Sequence, residues 1–358
     1  MQKYAVRERV NENLLKHLLA VRGMADANAA ERFLNPDYEK HAHDSFVMKD
    51  MEKAAERIVR AAQNNERIAI WSDYDADGIP GAVVLHDFLK KIDFRNFENY
   101  IPNRHEEGFG LNEEGIDGLA ARGAKLLVTI DCGITDAEEV ARANALGMEV
   151  IITDHHLPKA EGLPPAYAIL NPKQDGCAYP EKMLCGSGVV FKLVQALVKK
   201  IVGSPSTSLG ATSLPPGWEK WLLDMVGIAT LSDMVPLVGE NRIFAYYGLK
   251  VLRRSPRPGL AALLQELRLN QRELTEDDVG FMLSPRINAA SRMGAPMDAF
   301  RLFATEDAGE AGALARHLNK LNDERKGKVA ALVKEVRKAV AERHAGRAPR
   351  VVVAGNPS

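Results

Sequence analysis

Between Arg67 and about Pro172, short β-rich runs alternate with stretches of helical character, and this alternation constrains the fold more than any other feature of the chain. The runs are RIAIWS from Arg67, FENYIP from Phe97, KLLVTID from Lys125, MEVIITD from Met148 and AYAILNP from Ala166. Near-continuous apolar segments such as Leu126–Ile130 and Val150–Thr153 suit strands covered by helices on both faces. The predicted fold class is α/β, with a parallel doubly wound sheet. Ligands of such sheets collect at the carboxyl ends of the strands.

Beyond Leu184 the pattern turns helical, with candidate helices over Ser187–Lys200, Trp218–Leu231 and Ile243–Arg254 and a Ser-, Pro- and Gly-rich loop at 203–217. A proline-free run follows from about Asp307 to Glu342. Its apolar positions Leu314, Leu318, Leu321, Val329, Leu332, Val333, Val336 and Val340 recur at helical spacing. This predicts one long connecting helix of roughly 50 Å, suited to bridging two domains. The closing RAPRVVVAGNPS reads as the first strand of a unit that the chain does not finish.

Charge excludes less than it first suggests. The 47 basic and 48 acidic side chains sum to -1, so no overall cationic field marks a nucleic-acid partner, and any such partner requires a locally basic groove. Cys132, Cys177 and Cys185 form no CxxC pair, which argues against structural zinc and a disulfide framework and for a reducing, cytoplasmic setting. The first twenty residues lack a signal-peptide core, and no apolar run is long enough to cross a bilayer, so no membrane partner is expected.

Chemistry concentrates just after the β-rich runs. Asp73-Tyr74-Asp75-Ala76-Asp77-Gly78 follows the apolar IAIW, and its alternating carboxylates can converge on one or two hard cations. An Asp-rich helix cap would look similar. A calcium loop would need Glu at its twelfth position, where Val84 stands. Asp131-Cys132-Gly133 and Asp154-His155-His156 each end another strand-like run, and Asp233 ends the helical ATLSD segment. The isolated His86, His105, His317 and His344 read as surface or core residues. Together these acids and the two tandem imidazoles form an oxygen- and nitrogen-donor set without thiolates, which favours Mn²⁺ or Mg²⁺. Two such ions about 4 Å apart would suit a hydrolytic site acting on phosphodiesters.

In the order DYDADG, DCG, DHH, SD, these segments resemble the motifs of the DHH phosphoesterase superfamily. RFLNPDY, YIPNRHEEGFGLN, LNPKQ, GSGVVFKL and PRINAASRMG are similar to its RecJ branch of single-strand-specific 5′→3′ DNA exonucleases, and the resemblance runs from about residue 30 to the end. It implies a catalytic domain over 51–305 after an N-terminal extension at 1–50, a connecting helix at 306–345 and the start of an incomplete second domain at 346–358. It also implies one metal held by Asp77, Asp131, His155 and Asp233. A second would be held by Asp75 and the bridging Asp131, with Asp73 beside them.

Some members of the family carry a histidine four residues before the second Asp of the loop; here that position is Trp71. The resemblance makes His156 the group facing the scissile phosphate and Asp154 the residue that orients a histidine. It makes Arg286, Asn288, Arg292, Arg104 and His105 candidate phosphate contacts. Lys320, Arg325, Lys326 and Lys328 on the long helix read as a solvated face. The implied reaction is attack by a metal-activated water on single-stranded DNA in recombination and repair, with a single-strand-binding protein or a helicase as a fitting partner. Two other readings stay open: an oligonucleotide or cyclic-dinucleotide phosphodiesterase of the same superfamily, and a catalytically silent DNA-binding scaffold.

Overall fold

Ile68 and Ile70 turn to one side of the first strand and Ala69 and Trp71 to the other, and all four are buried. Both faces of the sheet are therefore apolar, which requires a layer of helices on each. The structure is a computed structural model and describes residues 8–203, 214–344 and 351–353. Its sheet has five strands: β1 (Arg67–Ser72), β2 (Phe97–Tyr100), β3 (Ala124–Ile130), β4 (Glu149–Thr153) and β5 (Ala168–Leu170). Their order is β2-β1-β3-β4-β5, and every pairing is parallel. The α/β expectation holds, and each of the five β-rich runs forms a strand.

Three short helices, α1 (Leu14–Val21), α2 (Ala27–Leu34) and α3 (Tyr38–His41), precede the sheet. On one face α4 (Met51–Gln63) and α5 (Gly78–Lys91) pack with the even-numbered residues of β1 and β3 in the larger core. On the other, α6 (Glu113–Ala121) and α7 (Ala137–Ala145) enclose Trp71, Leu127, Val150 and Ile152 in a second core. Helix α8 (Gly186–Gly203) joins the first face, with Val189, Val190, Leu193 and Leu197 fully buried.

The helical region continues as α9 (Leu223–Ser232), α10 (Gly239–Leu252), α11 (Pro258–Glu266), α12 (Ser284–Arg292) and α13 (Pro296–Ala304). The segment expected to be helical from Trp218 opens as a 3₁₀ turn before α9, and α10 begins at Gly239, ahead of the expected Ile243. Helix α14 (Ala308–His344) is the predicted long helix, 37 residues or about 55 Å. Its two halves differ. Ala311, Ala315 and Leu318 are buried, whereas Val329, Leu332 and Val333 are exposed. The apolar periodicity is continuous, but helices α11 to α13 cover only the first turns. The strand expected in RAPRVVVAGNPS falls mostly outside the described residues; Val351–Val353 within it are exposed and form no strand. Most of the loop expected at 203–217 also lies outside them.

Candidate metal centre

Register brings the motif acids together. Ser72 lies level with Ile130, and Ile130 with Thr153, so the residues that follow, Asp73, Asp131 and Asp154, leave the sheet side by side. Backbone bonds extend the ladder one step beyond the strands: Asp73 N donates to Ile130 O at 3.0 Å, Asp131 N to Thr153 O at 2.9 Å and Asp154 N to Leu170 O at 3.0 Å. From β1 the chain connects to β2 on one side, while β3 lies on the other. The crevice between β1 and β3 is thus a topological switch point, the place where ligands of open α/β sheets bind.

The loop after β1 is tightly wound. Asp75 Oδ1 accepts from Asp77 N at 2.7 Å and Gly78 N at 3.1 Å. Asp77 reaches 109 residues along the chain to cap α8, its carboxylate accepting from Gly186 N at 2.6 Å and Ser187 N at 2.7 Å. A carboxylate there is favoured by the free N–H groups and the dipole of the helix. A Cβ on Gly78 would lie 2.4 Å from the Asp73 carbonyl oxygen. Gly78→Ala is therefore expected to destabilise the fold by about 1–3 kcal/mol, read from urea midpoints, since a backbone atom cannot swing aside. Unchanged midpoints would show that this loop has slack.

Asp131 adopts a left-handed backbone, φ 61°, which Asp tolerates better than most residues. The residue is 2% exposed, and its side chain lies so near the start of α8 that a Cβ on Gly186 would stand 2.6 Å from it. His155 Nε2 is 3.1 Å from Asp131 Oδ1 and 3.8 Å from Asp77 Oδ2, and its Nδ1 is 3.8 Å from Asp233 Oδ2. Asp233 arrives from the end of α9, where Met234 turns left-handed at φ 57°.

Two groups of donor atoms result, each with members within 4.8 Å of one another: Asp77, His155 and Asp233 in one, Asp73, Asp75 and Asp131 in the other. Asp131 also groups with His155 and His156 and stands between the two. The donor set fits hard divalent cations. A second observation agrees: buried oxygens of Asp73 and Asp131, Oδ1 in each, have no hydrogen-bond partner, which is costly unless a cation compensates.

Charge crowding sets the protonation. Burial, with Asp75 adding to it, pushes Asp73 up to about 8. Burial and the charges of Asp77 and Asp75 push Asp233 up to about 7, and burial with the neighbouring aspartates holds Asp131 well above the carboxylate range. Burial lowers His155, which keeps a lone pair available for a metal. Burial opposes ionisation of Asp154 as well, but the hydrogen bond and charge of His156 hold its carboxyl below the usual value. That bond, from His156 Nδ1 to Asp154 Oδ1 at 2.8 Å, is also the main cause of the raised pKa of His156. Asp154→Asn is expected to return His156 toward its ordinary value near 6.5, measured by NMR titration of the ring protons. An unmoved titration would mean that other charges set it.

The remaining candidates divide. Arg104 and Arg292 are exposed at the rim, Arg104 over the Tyr74 ring at 5.2 Å, and His105 Nε2 lies 2.9 Å from Arg292 O. Arg286 is 6% exposed, and its guanidinium donates to Asn319 Oδ1 at 3.2 and 3.3 Å and to Met282 O at 3.1 Å. Asn288 Oδ1 accepts from Ala76 N at 2.9 Å, tying α12 to the aspartate loop. Trp71 faces the second core, against Tyr100 at 4.4 Å, and offers no ligand. Sequence reasoning assigned no role to Asn171, whose Nδ2 donates to His156 O at 2.9 Å, or to the Gly186–Ser187 amides. LNPKQ and GSG marked both places without revealing their partners.

Comparison with known proteins agrees with this geometry. The model of the DHH family, N-terminal domain, matches residues 67–217. A crystal structure of exonuclease RecJ bound to manganese superposes with a TM-score of 0.71 at 33% identity, over 81% of this chain and 69% of the other. The chain belongs to the RecJ family of DHH proteins. RecJ of Thermus thermophilus in complex with Mn²⁺ gives a TM-score of 0.73 at 30% identity, over 90% of this chain and 44% of that one. Among curated relatives, the single-stranded-DNA-specific exonuclease RecJ of Bacillus subtilis is 40% identical over 90% of this chain and that of Escherichia coli 37% over 87%. The chain spans 38% and 53% of their respective lengths. Among the described residues no helix is long and apolar enough to cross a membrane.

Proposed function

We propose that this chain is a divalent-metal-dependent phosphodiesterase that removes nucleotides from single-stranded DNA in the 5′→3′ direction, in recombination and repair. One observation carries the reading: five carboxylates and His155 crowd the switch point, with two buried carboxylate oxygens that no hydrogen bond satisfies. The substrate class follows the relatives named single-stranded-DNA-specific exonuclease. Asp77, Asp131, His155 and Asp233 would hold one Mn²⁺ or Mg²⁺, and Asp73, Asp75 and Asp131 a second. Such ions, when bound, polarise a water and neutralise charge on the phosphodiester.

The chain's own residues orient and shield. His155, its pKa lowered by burial, offers a lone pair, and His156, its pKa raised by the Nδ1 bond to Asp154, has Nε2–H to donate to a phosphate oxygen when protonated. Arg104 and Arg292 at the rim are the phosphate contacts, guanidinium being suited to phosphate oxygens, with His105 beside them. Arg286 and Asn288 on α12 are further phosphate contacts, held in place by Asn319 and the Ala76 amide. Residues 51–305 form the catalytic unit after an N-terminal extension at 1–50, and 306–345 form the connecting helix. A cytoplasmic setting and a single-strand-binding protein or a helicase as partner complete the reading.

Hydrolysis of 5′- and 3′-labelled single-stranded DNA with Mn²⁺ tests it, comparing the chain with Asp77→Ala and His155→Ala. Mononucleotides released from the 5′ end, and lost in both variants, are expected. Cleavage of dinucleotides alone would replace DNA by small substrates, and silence toward both would leave a DNA-binding scaffold.

A further inference from the structure

Phe109 is 53% exposed, yet it lies at the mouth of the metal centre rather than on a remote surface. Its ring meets the His156 ring edge-on, with centroids 5.9 Å apart and planes at 78°. Tyr74, from the aspartate loop, supports it from another side at 6.3 Å, and Arg104 caps Tyr74. The aromatic group is therefore built into the rim beside the imidazole proposed to face phosphate.

The segment that carries it is pinned at both ends. Asn103 N donates to Glu107 Oε2 at 2.6 Å, and the other oxygen of that carboxylate bonds Tyr100 Oη. Leu111 N donates to Asp136 Oδ2 at 2.8 Å. A Cβ on Gly110, whose φ is +82°, would stand 2.6 Å from the same oxygen, so the chain passes Asp136 closely. A single exposed apolar side chain normally needs no explanation. Here a fixed loop holds a phenyl ring in water, where it can neither ligate a cation nor bond a phosphate. The remaining chemistry of a nucleotide is its base, and every base presents a π-face to an aromatic ring.

We propose that Phe109 is a stacking platform for the nucleobase adjoining the scissile phosphate, so that the site recognises a base as well as a backbone. This rests on the proposed action on single-stranded DNA. Because stacking tolerates any base, the platform selects for an unpaired base without selecting its sequence.

The test places 2-aminopurine, whose fluorescence falls on stacking, at the 5′ end of a single strand, and follows KM for strands with a normal or an abasic 5′ nucleotide. Phe109→Ala is expected to abolish the quenching and raise KM roughly tenfold for the normal strand, with little change for the abasic one. Phe109→Trp is expected to retain both quenching and discrimination. If Phe109→Ala leaves quenching intact, or raises KM equally for both strands, the platform is refuted while the exonuclease reading stands. If the unaltered chain neither binds nor cleaves single-stranded DNA, that reading fails and the platform fails with it.

Discussion

Asp131→Asn is expected to lower phosphodiester cleavage on the order of a thousandfold while raising the melting temperature of the chain in EDTA. Asn has nearly the same shape and tolerates the left-handed backbone of this position, so the turn after β3 survives. What changes is charge. Asp131 is buried among Asp73, Asp75 and Asp77, and without a cation its ionisation is opposed by burial and by all three. Removing it relieves a cost of the metal-free fold and takes away the oxygen that stands between the two donor groups. Excess Mn²⁺ should reverse the order of stability. A ligand at a thousand times its Kd adds about 4 kcal/mol to the unaltered chain and much less to the variant. Equal gains from Mn²⁺ in the two proteins would remove Asp131 from the metal site.

The second large effect is on stability against pH. Asp73 at about 8 and Asp233 at about 7 lie above the value near 4 of an unfolded aspartate. Between these limits the folded chain holds protons that the unfolded chain has released, so rising pH favours unfolding. In EDTA the melting temperature should fall from about pH 4 to about pH 8, by roughly 5 °C or more, and then level. Saturating Mn²⁺ should flatten the curve, because the bound acids are already ionised. The Asp73→Asn, Asp233→Asn double variant should lose most of the slope in EDTA. A slope that survives in that variant would assign it to other groups.

Strands β1, β3 and β4 were legible because burial on both faces leaves a local record, a near-continuous apolar run such as Leu126–Ile130. The acids were legible for a related reason: Asp73, Asp131 and Asp154 each directly follow a strand, and chain direction alone puts them at one end of a parallel sheet. Strand order was not. Only the placing of β1 beside β3 puts Asp73 next to Asp131, and that neighbourhood depends on crossover packing.

Nor could spacing show that Asp77 caps a helix beginning at Gly186, or that the guanidinium of Arg286 bonds Asn319 of α14. Phe109 illustrates the same limit: its segment was marked by resemblance and by Arg104 and His105, but Phe109 itself had no role until the fold brought it to His156. Periodicity and strand ends are properties of neighbours in sequence, and the chain specified them directly. Partners far apart in sequence are chosen by whichever packing buries the most apolar surface while satisfying the polar groups it encloses, and that choice was made only in the tertiary structure.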